Sequence, residues 1–338
     1  MKSKPQSRRD VLKLLGTAPF LAGAVSHLHA QAAQSPQTPG APQSPGSPQM
    51  PGAAPGPGGG GPRPNVDFWP GLKHLLFVSD TQTGYQHDFL SHAMATVEQM
   101  GRRTKTYMTM IKTDSQLITA QPIKGQGQYE GANGVNARTL PFYDAIFMLP
   151  SGWGTMNDEQ KSALLAFVHD QGKGLIVAHA AVLAFSNRKE NIDVWPEWHE
   201  MVGAGWGGEF IGKSTVLVED PKFPGADAFG TSPFEFYEQH AVWIKPYSRD
   251  KCRVIMRLDP DKLSPKDLAR RPDADFPMVI AKEYGKGRVF NTGWGHYDET
   301  WDDPRFQKMM FEGIKWAMGI TPADVSPRPF PEAKPAAS

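Results

Sequence analysis

Short apolar runs alternate along this chain with segments whose apolar positions repeat at helical spacing, a pattern that predicts βαβ units and a mostly parallel sheet with helices on both faces. Residues 74–79 open the series as a strand. Asp88 is placed to cap a helix in which Leu90, Ala93, Met94, Val97 and Met100 share one face and Gly101 marks the end. Strands are expected at 105–110 and 143–149, with a polar, Gly-rich loop over 113–139 between them. Asn157 and Gln160 have capping-box spacing ahead of a helix carrying Leu164, Leu165, Phe167 and Val168, which Gly172 stops. Further on, residues 186–212 read as an irregular tryptophan-bearing stretch and 215–219, 237–244 and 253–258 as strands. Residues 277–282 and 288–292 read as a hairpin around 284–287, and a last helix runs from Asp303-Pro304 to Gly319.

The run 173–181 stands at the centre of this pattern. Its continuous apolarity is that of a strand buried on both faces. His179 closes it, at the carboxyl end where ligands of open α/β sheets bind.

The amino terminus changes the picture of where the protein works. Ser7-Arg8-Arg9-Asp10-Val11-Leu12-Lys13 matches the twin-arginine export pattern, and the apolar run 14–25 behind it is too short and too rich in Gly and Ala for a good anchor. With a small-x-small site at residues 30–32, residues 1–32 are expected to be a cleaved signal and the mature protein to be periplasmic or secreted, with no membrane span. Residues 33–65 are almost wholly Gln, Pro, Gly, Ser and Ala, a composition expected to form a disordered linker. Residues 66–320 are expected to be one domain and 321–338 a flexible tail. The formal charge of +1 falls to about −3 once five basic residues and one acidic residue leave with the signal, so no nucleic-acid partner is implied. The single cysteine, Cys252, excludes an internal disulfide and reads as a structural thiol.

Candidate chemistry rests on histidines. His87, His179, His199, His240 and His296 all fall where strand ends or loops are expected, although no His-Glu-x-x-His or Cys-x-x-Cys spacing is present. His87 precedes a helix start, and His296 follows a strand within Gly293-Trp294-Gly295-His296. Trp195, Trp198, Trp206, Glu197 and Glu209 supply the aromatic faces and carboxylates typical of carbohydrate sites. No Gly-x-Ser-x-Gly, Walker or dinucleotide fingerprint appears.

Taken in order, Gly84-Tyr85-Gln86-His87, residues 143–147, 172–181, Trp195-Pro196-Glu197-Trp198, Glu235-Phe236-Tyr237, 284–290, Gly293-Trp294-Gly295-His296 and 313–319 resemble the trehalose-utilisation (ThuA-like) family over most of residues 70–320. The resemblance implies a flavodoxin-like, class I glutamine amidotransferase-like fold, with His179 where amidotransferases carry their catalytic cysteine. His296, with Asp298 behind it, then stands near their histidine. It implies carbohydrate catabolism, with a sugar substrate, possible 3-keto sugar chemistry and a sugar dehydrogenase as partner. On this reading His87, His179 and His296 are catalytic and Tyr85, Trp195, Glu209, Glu238 and Trp294 bind substrate. The cofactor is open; a divalent metal on His179 and His296 is one candidate. A non-catalytic sugar-binding module and a degenerate amidotransferase-like hydrolase are the alternatives. One departure is visible: residues 210–214 lack a histidine that many relatives carry there.

Overall fold

Leu75, Leu76, Phe77 and Val78 are all buried, because the strand they form is covered on both faces. The computed structural model describes residues 69–79, 87–126, 135–150, 155–187 and 192–331; the expected signal and linker and Tyr85 lie outside them. The main sheet is built from β1 (Lys73–Val78), β2 (Tyr107–Lys112), β3 (Ala145–Met148), β4 (Gly174–Ala178), β5 (Gly205–Val218), β6 (Phe234–Ile244), β7 (Arg253–Leu258), β8 (Pro277–Tyr284) and β9 (Gly287–Thr292). Their order is β6-β5-β7-β8-β9-β4-β3-β1-β2. From β2 to β9 neighbouring strands pair parallel, and from β9 to β6 antiparallel. This is a flavodoxin-like α/β sheet with an antiparallel extension.

The period-2 alternation of the central strands sends their side chains to two cores. Leu75, Phe77, Phe147, Ile176 and Phe290 meet α1 (Leu90–Thr104) and, through Phe306, Met309, Met310 and Ile314, the C-terminal α5 (Pro304–Ala317). Leu76, Val78, Ile146, Leu175 and Val177 meet α2 (Asp158–His169) and α3 (Pro196–Val202) on the opposite face. A short α4 (Asp298–Asp302) precedes α5. No helix among the described residues is long and apolar enough to cross a membrane.

Local signals account for most boundaries. Asn157 accepts from the Gln160 N–H while the Gln160 side chain accepts from the Asn157 N–H, each at 2.9 Å, closing the capping box of α2. The β8–β9 hairpin turns on Gly285-Lys286, with Gly285 at φ +58, as a glycine-first two-residue turn requires.

Four expectations change. α1 is capped by Phe89 without a side-chain bond, so Asp88 is not its cap. Gly101 does not end α1; the helix continues to Thr104 and Lys105 closes it in the left-handed region, which moves β2 on to Tyr107. Gly101 is glycine because the Tyr107 ring packs on it: a Cβ there would lie 2.3 Å from that ring. The stretch 186–212 contains α3, entered through Pro196 and left through Gly203 at φ +82, and the first half of the 14-residue β5. Its glycines obscure both elements in the sequence. Finally, the C-terminal segment is held at least to Phe330. Val325 is buried, the Arg253 guanidinium donates to the Ser326 carbonyl at 2.7 Å, and Arg249 and Arg257 both lie over the Phe330 ring.

Candidate functional site

β4 delivers His179 to the carboxyl edge of the sheet through an abrupt change of backbone. Ala178 is extended at φ −141, His179 turns to φ +44, and residues His179–Val182 form a single 3₁₀ turn. A left-handed non-glycine residue costs about 1–2 kcal/mol, so the surrounding packing must hold this elbow in place. Two other elements end beside it. His87 comes from the loop entering α1, and His296 from the loop leaving β9, just beyond Gly295 at φ +118.

The three imidazoles converge. The Nε2 atom of His179 lies 3.2 Å from Nε2 of His87 and 3.1 Å from Nδ1 of His296. One ring nitrogen from each residue falls within 4.8 Å of the other two, and this is the group of potential metal ligands found among the described residues. His179 is buried, while His87 and His296 border an open cleft of about 300 Å³ lined also by Asp88, Phe89, Tyr297, Asp298 and Glu299. Burial, the nearby His87 and the nearby His296 together hold His179 well below the usual imidazole range. Burial also lowers His296, opposed by the charges of Glu209 and Asp88. His179 and His296 thus favour the neutral form, with the carboxylates of Glu209 and Asp88 acting on His296.

Beneath the cleft lies Glu238, fully buried. Its carboxylate accepts from the backbone N–H groups of Gly295 at 3.0 Å, His296 at 3.2 Å and Gln239 at 2.8 Å, and from the Thr300 hydroxyl at 2.6 Å. Burial pushes this carboxyl up from its ordinary value, against the pull of those four donors. Trp301 adds an indole N–H bond to the Gly295 carbonyl at 3.0 Å.

Among the described residues expected to bind substrate, Glu209 acts on His296 through its charge, and Tyr85 lies outside the described residues. Glu238 has its oxygens filled by the His296 loop and faces no substrate. Trp195 and Trp294 are corrected as well. Trp195 is packed against Phe185 and Trp198, and Trp294 is fully buried against Phe236 and Phe229. Indoles are the largest apolar side chains, and the core took them. Phe89, Tyr297 and Glu299, which do line the cleft, were unmarked in the sequence except by proximity to His87 and His296. Residues 210–214 lie on β5 and contribute nothing to the imidazole cluster.

His199 and His240 stand elsewhere. His199 Nε2 is 3.3 Å from the Ser186 hydroxyl, and His240 Nε2 is 3.1 Å from the Gly212 carbonyl. Burial pushes His240 down to about 4. An unfolded His240 takes up a proton near pH 6.5 that the folded one refuses until about pH 4, so folding stability should fall as pH drops through this window. The loss amounts to about 3 kcal/mol from this residue. Urea unfolding at pH 7 and pH 4 should show a drop smaller by that amount in His240→Gln; an equal drop in both proteins would mean the site plays no part.

Cys252 is buried, its thiol donating to the Ser248 carbonyl at 3.3 Å and pushed up to about 12 by burial. Such a thiol is no nucleophile, and the amidotransferase-like alternative has no other cysteine.

A flavodoxin-like sheet with a histidine on the strand-end elbow and two more histidines converging on it defines the class of protein. The chain belongs to the trehalose-utilisation (ThuA) family, whose model matches residues 74–317. Its fold is shared by a thua-like protein from Bacteroides uniformis at 16% identity, covering 75% of this chain and 94% of that one with a TM-score of 0.52. A thua-like protein from Parabacteroides merdae is similar at 15% identity, 73% and 90% coverage and a TM-score of 0.50. No curated protein matches the chain.

Proposed function

We propose that this protein is a metal-assisted enzyme of sugar catabolism, acting on the carbonyl of a keto sugar or on the glycosidic bond near it, with His87, His179 and His296 holding one divalent ion. The observation that carries this reading is the convergence of three imidazole nitrogens at the edge of an open cleft. Two nitrogens on one tetrahedral zinc-like ion, each about 2.0–2.1 Å from it, would lie about 3.3 Å apart; the two separations from His179 are 3.1 and 3.2 Å, and the ligand atoms of all three lie within 4.8 Å of one another. The protonation states agree. A general base works best with a pKa near the working pH, whereas His179 is held well below it and three such close imidazoles cannot be protonated together. Neutral imidazole is the form a transition metal binds.

When bound, such an ion polarises a sugar carbonyl or hydroxyl oxygen. Glu209 and Asp88, whose charges reach His296, are the groups that would carry a proton to or from the sugar. Membership of a trehalose-utilisation family supports the carbohydrate substrate. The twin-arginine pattern at residues 7–13 supports export, and a sugar dehydrogenase would supply a keto sugar.

Metal analysis by mass spectrometry on protein purified without chelator or affinity metal is the test, followed by turnover of 3-keto sugars before and after chelation. A single divalent ion per chain, with turnover lost on chelation and restored on adding the ion back, is expected. Turnover by metal-free protein would remove the ion from the proposal. An ion without turnover of any keto sugar would leave a sugar-binding module instead.

A further inference from the structure

One apolar ring meets all three imidazoles. The centroid of Phe89 lies 5.2 Å from that of His87, 5.4 Å from that of His179 and 6.2 Å from that of His296. The imidazole centroids are themselves 4.9, 4.8 and 5.5 Å apart. A point at three similar distances from the corners of such a triangle stands over its middle, so Phe89 covers one face of the cluster rather than one edge. Its place is fixed. Phe89 caps α1, its carbonyl accepts from the Ala93 N–H at 2.9 Å, and it is 3% exposed. The Trp301 indole lies nearly parallel to it, at 6.5 Å and 15°, and is itself bonded to the Gly295 carbonyl in the loop that carries His296.

An ion shared by the three nitrogens lies near the centre of this triangle. A further ligand has to reach it from one face, from the other, or through a gap between two rings. Phe89 closes the first route. A phenyl ring supplies no donor atom, and a water held between that ring and the ion would lack the polar partners a buried water needs. The gap that leads to the cleft is the one between His87 and His296, which both line it and whose centroids are the furthest apart of the three, whereas His179 is buried. Coordination shapes with ligands on both faces of the three nitrogens, such as the tetragonal ones of nickel and copper(II), are therefore excluded. A four-coordinate zinc-like shape with one outward position remains.

We infer that Phe89 is a specificity-determining residue of the ion site: it keeps water off one face and limits the ion to a single exchangeable position, the one a substrate oxygen takes. The inference rests on the ion reading of the histidine cluster. Cobalt(II) bound to the wild type, Phe89→Leu and Phe89→Ala tests it. Visible absorption is intense for four-coordinate cobalt and several-fold weaker for six-coordinate cobalt, so the spectrum reports the number of ligands without any turnover. The wild type should show the intense spectrum and prefer zinc to nickel in competition. Phe89→Leu, which keeps an apolar cap, should behave like it. Phe89→Ala should bind cobalt with the weak spectrum and move the zinc-to-nickel preference towards nickel by about tenfold, the scale on which changes around a metal's ligands act. The intense spectrum retained in Phe89→Ala, or the weak one in the wild type, would overturn the cap and leave the ion standing. The wild-type spectrum decides by itself if Phe89→Ala does not fold. A wild type that takes up no cobalt would remove the ion, and the cap with it.

Discussion

His179→Asn is expected to leave a folded protein that has lost its ion and on the order of 10²–10⁴-fold in turnover, the range spanned by one well-placed catalytic group. Asparagine is the informative replacement because His179 sits at φ +44. Asparagine tolerates the left-handed region better than other non-glycine residues, so the elbow between β4 and its 3₁₀ turn keeps its shape. Alanine would add backbone strain of about 1 kcal/mol and mix a folding effect with a chemical one. The shorter amide cannot put a ligand atom where Nε2 stands, 3.2 Å from His87 and 3.1 Å from His296. Three measurements belong together: ion content, kcat/KM on a 3-keto disaccharide and the urea midpoint. Undiminished ion content and turnover in a folded His179→Asn would take His179 out of the site altogether.

The second large effect is expected at Glu238, which touches no substrate and acts through His296. Its two oxygens satisfy three backbone N–H groups and the Thr300 hydroxyl in a fully buried setting. Glu238→Gln keeps the volume but turns one acceptor into a donor; with the new amide NH2 turned toward Thr300, whose hydroxyl can accept, the Gly295 N–H is left buried and unpartnered. Unfolding stability should fall by about 1–3 kcal/mol, the cost of one buried unsatisfied donor. The loop that carries Gly295 and His296 loses its anchor, so ion affinity of the remaining folded protein should fall about 10–100-fold, as it does when the group orienting a metal ligand is removed. Thr300→Val supplies the contrast. It removes one donor, leaves a carboxylate with three, and should cost only about 1 kcal/mol with near-normal ion affinity. A Glu238→Gln protein that is destabilised yet binds its ion normally would reduce Glu238 to a structural role.

Glu238 also shows where reading the sequence stops. It stands in an apolar strand pattern as one of several carboxylates, and sequence offers no way to tell a carboxylate aimed at a ligand from one aimed at a loop 57 residues away. The tryptophans divide in the same manner. A carbohydrate site and a hydrophobic core draw on the same indoles, and in Trp195 and Trp294 the core prevailed because it removes more apolar surface from water. Glycine misled at two points for one reason: Gly101, and Gly205 and Gly207 of β5, answer to close approach by other chain segments, which local rules do not contain.

What the sequence determined by itself is what short-range physics encodes: the alternation of buried strands and amphipathic helices, the Asn157–Gln160 capping box, the Gly285 turn, and the placing of His87, His179 and His296 each at the end of an element. Those signals arise between residues a few positions apart, where backbone geometry fixes the spacing. Only the tertiary structure decided that three histidines separated by 92 and 117 positions meet at bonding distance, that the rings facing the cleft are Tyr297 and Phe89 instead of tryptophans, and that the segment after Thr321 is held. Parallel strand order brings those strand ends to one edge of the sheet, and that order is set by which buried faces pack together across the whole chain.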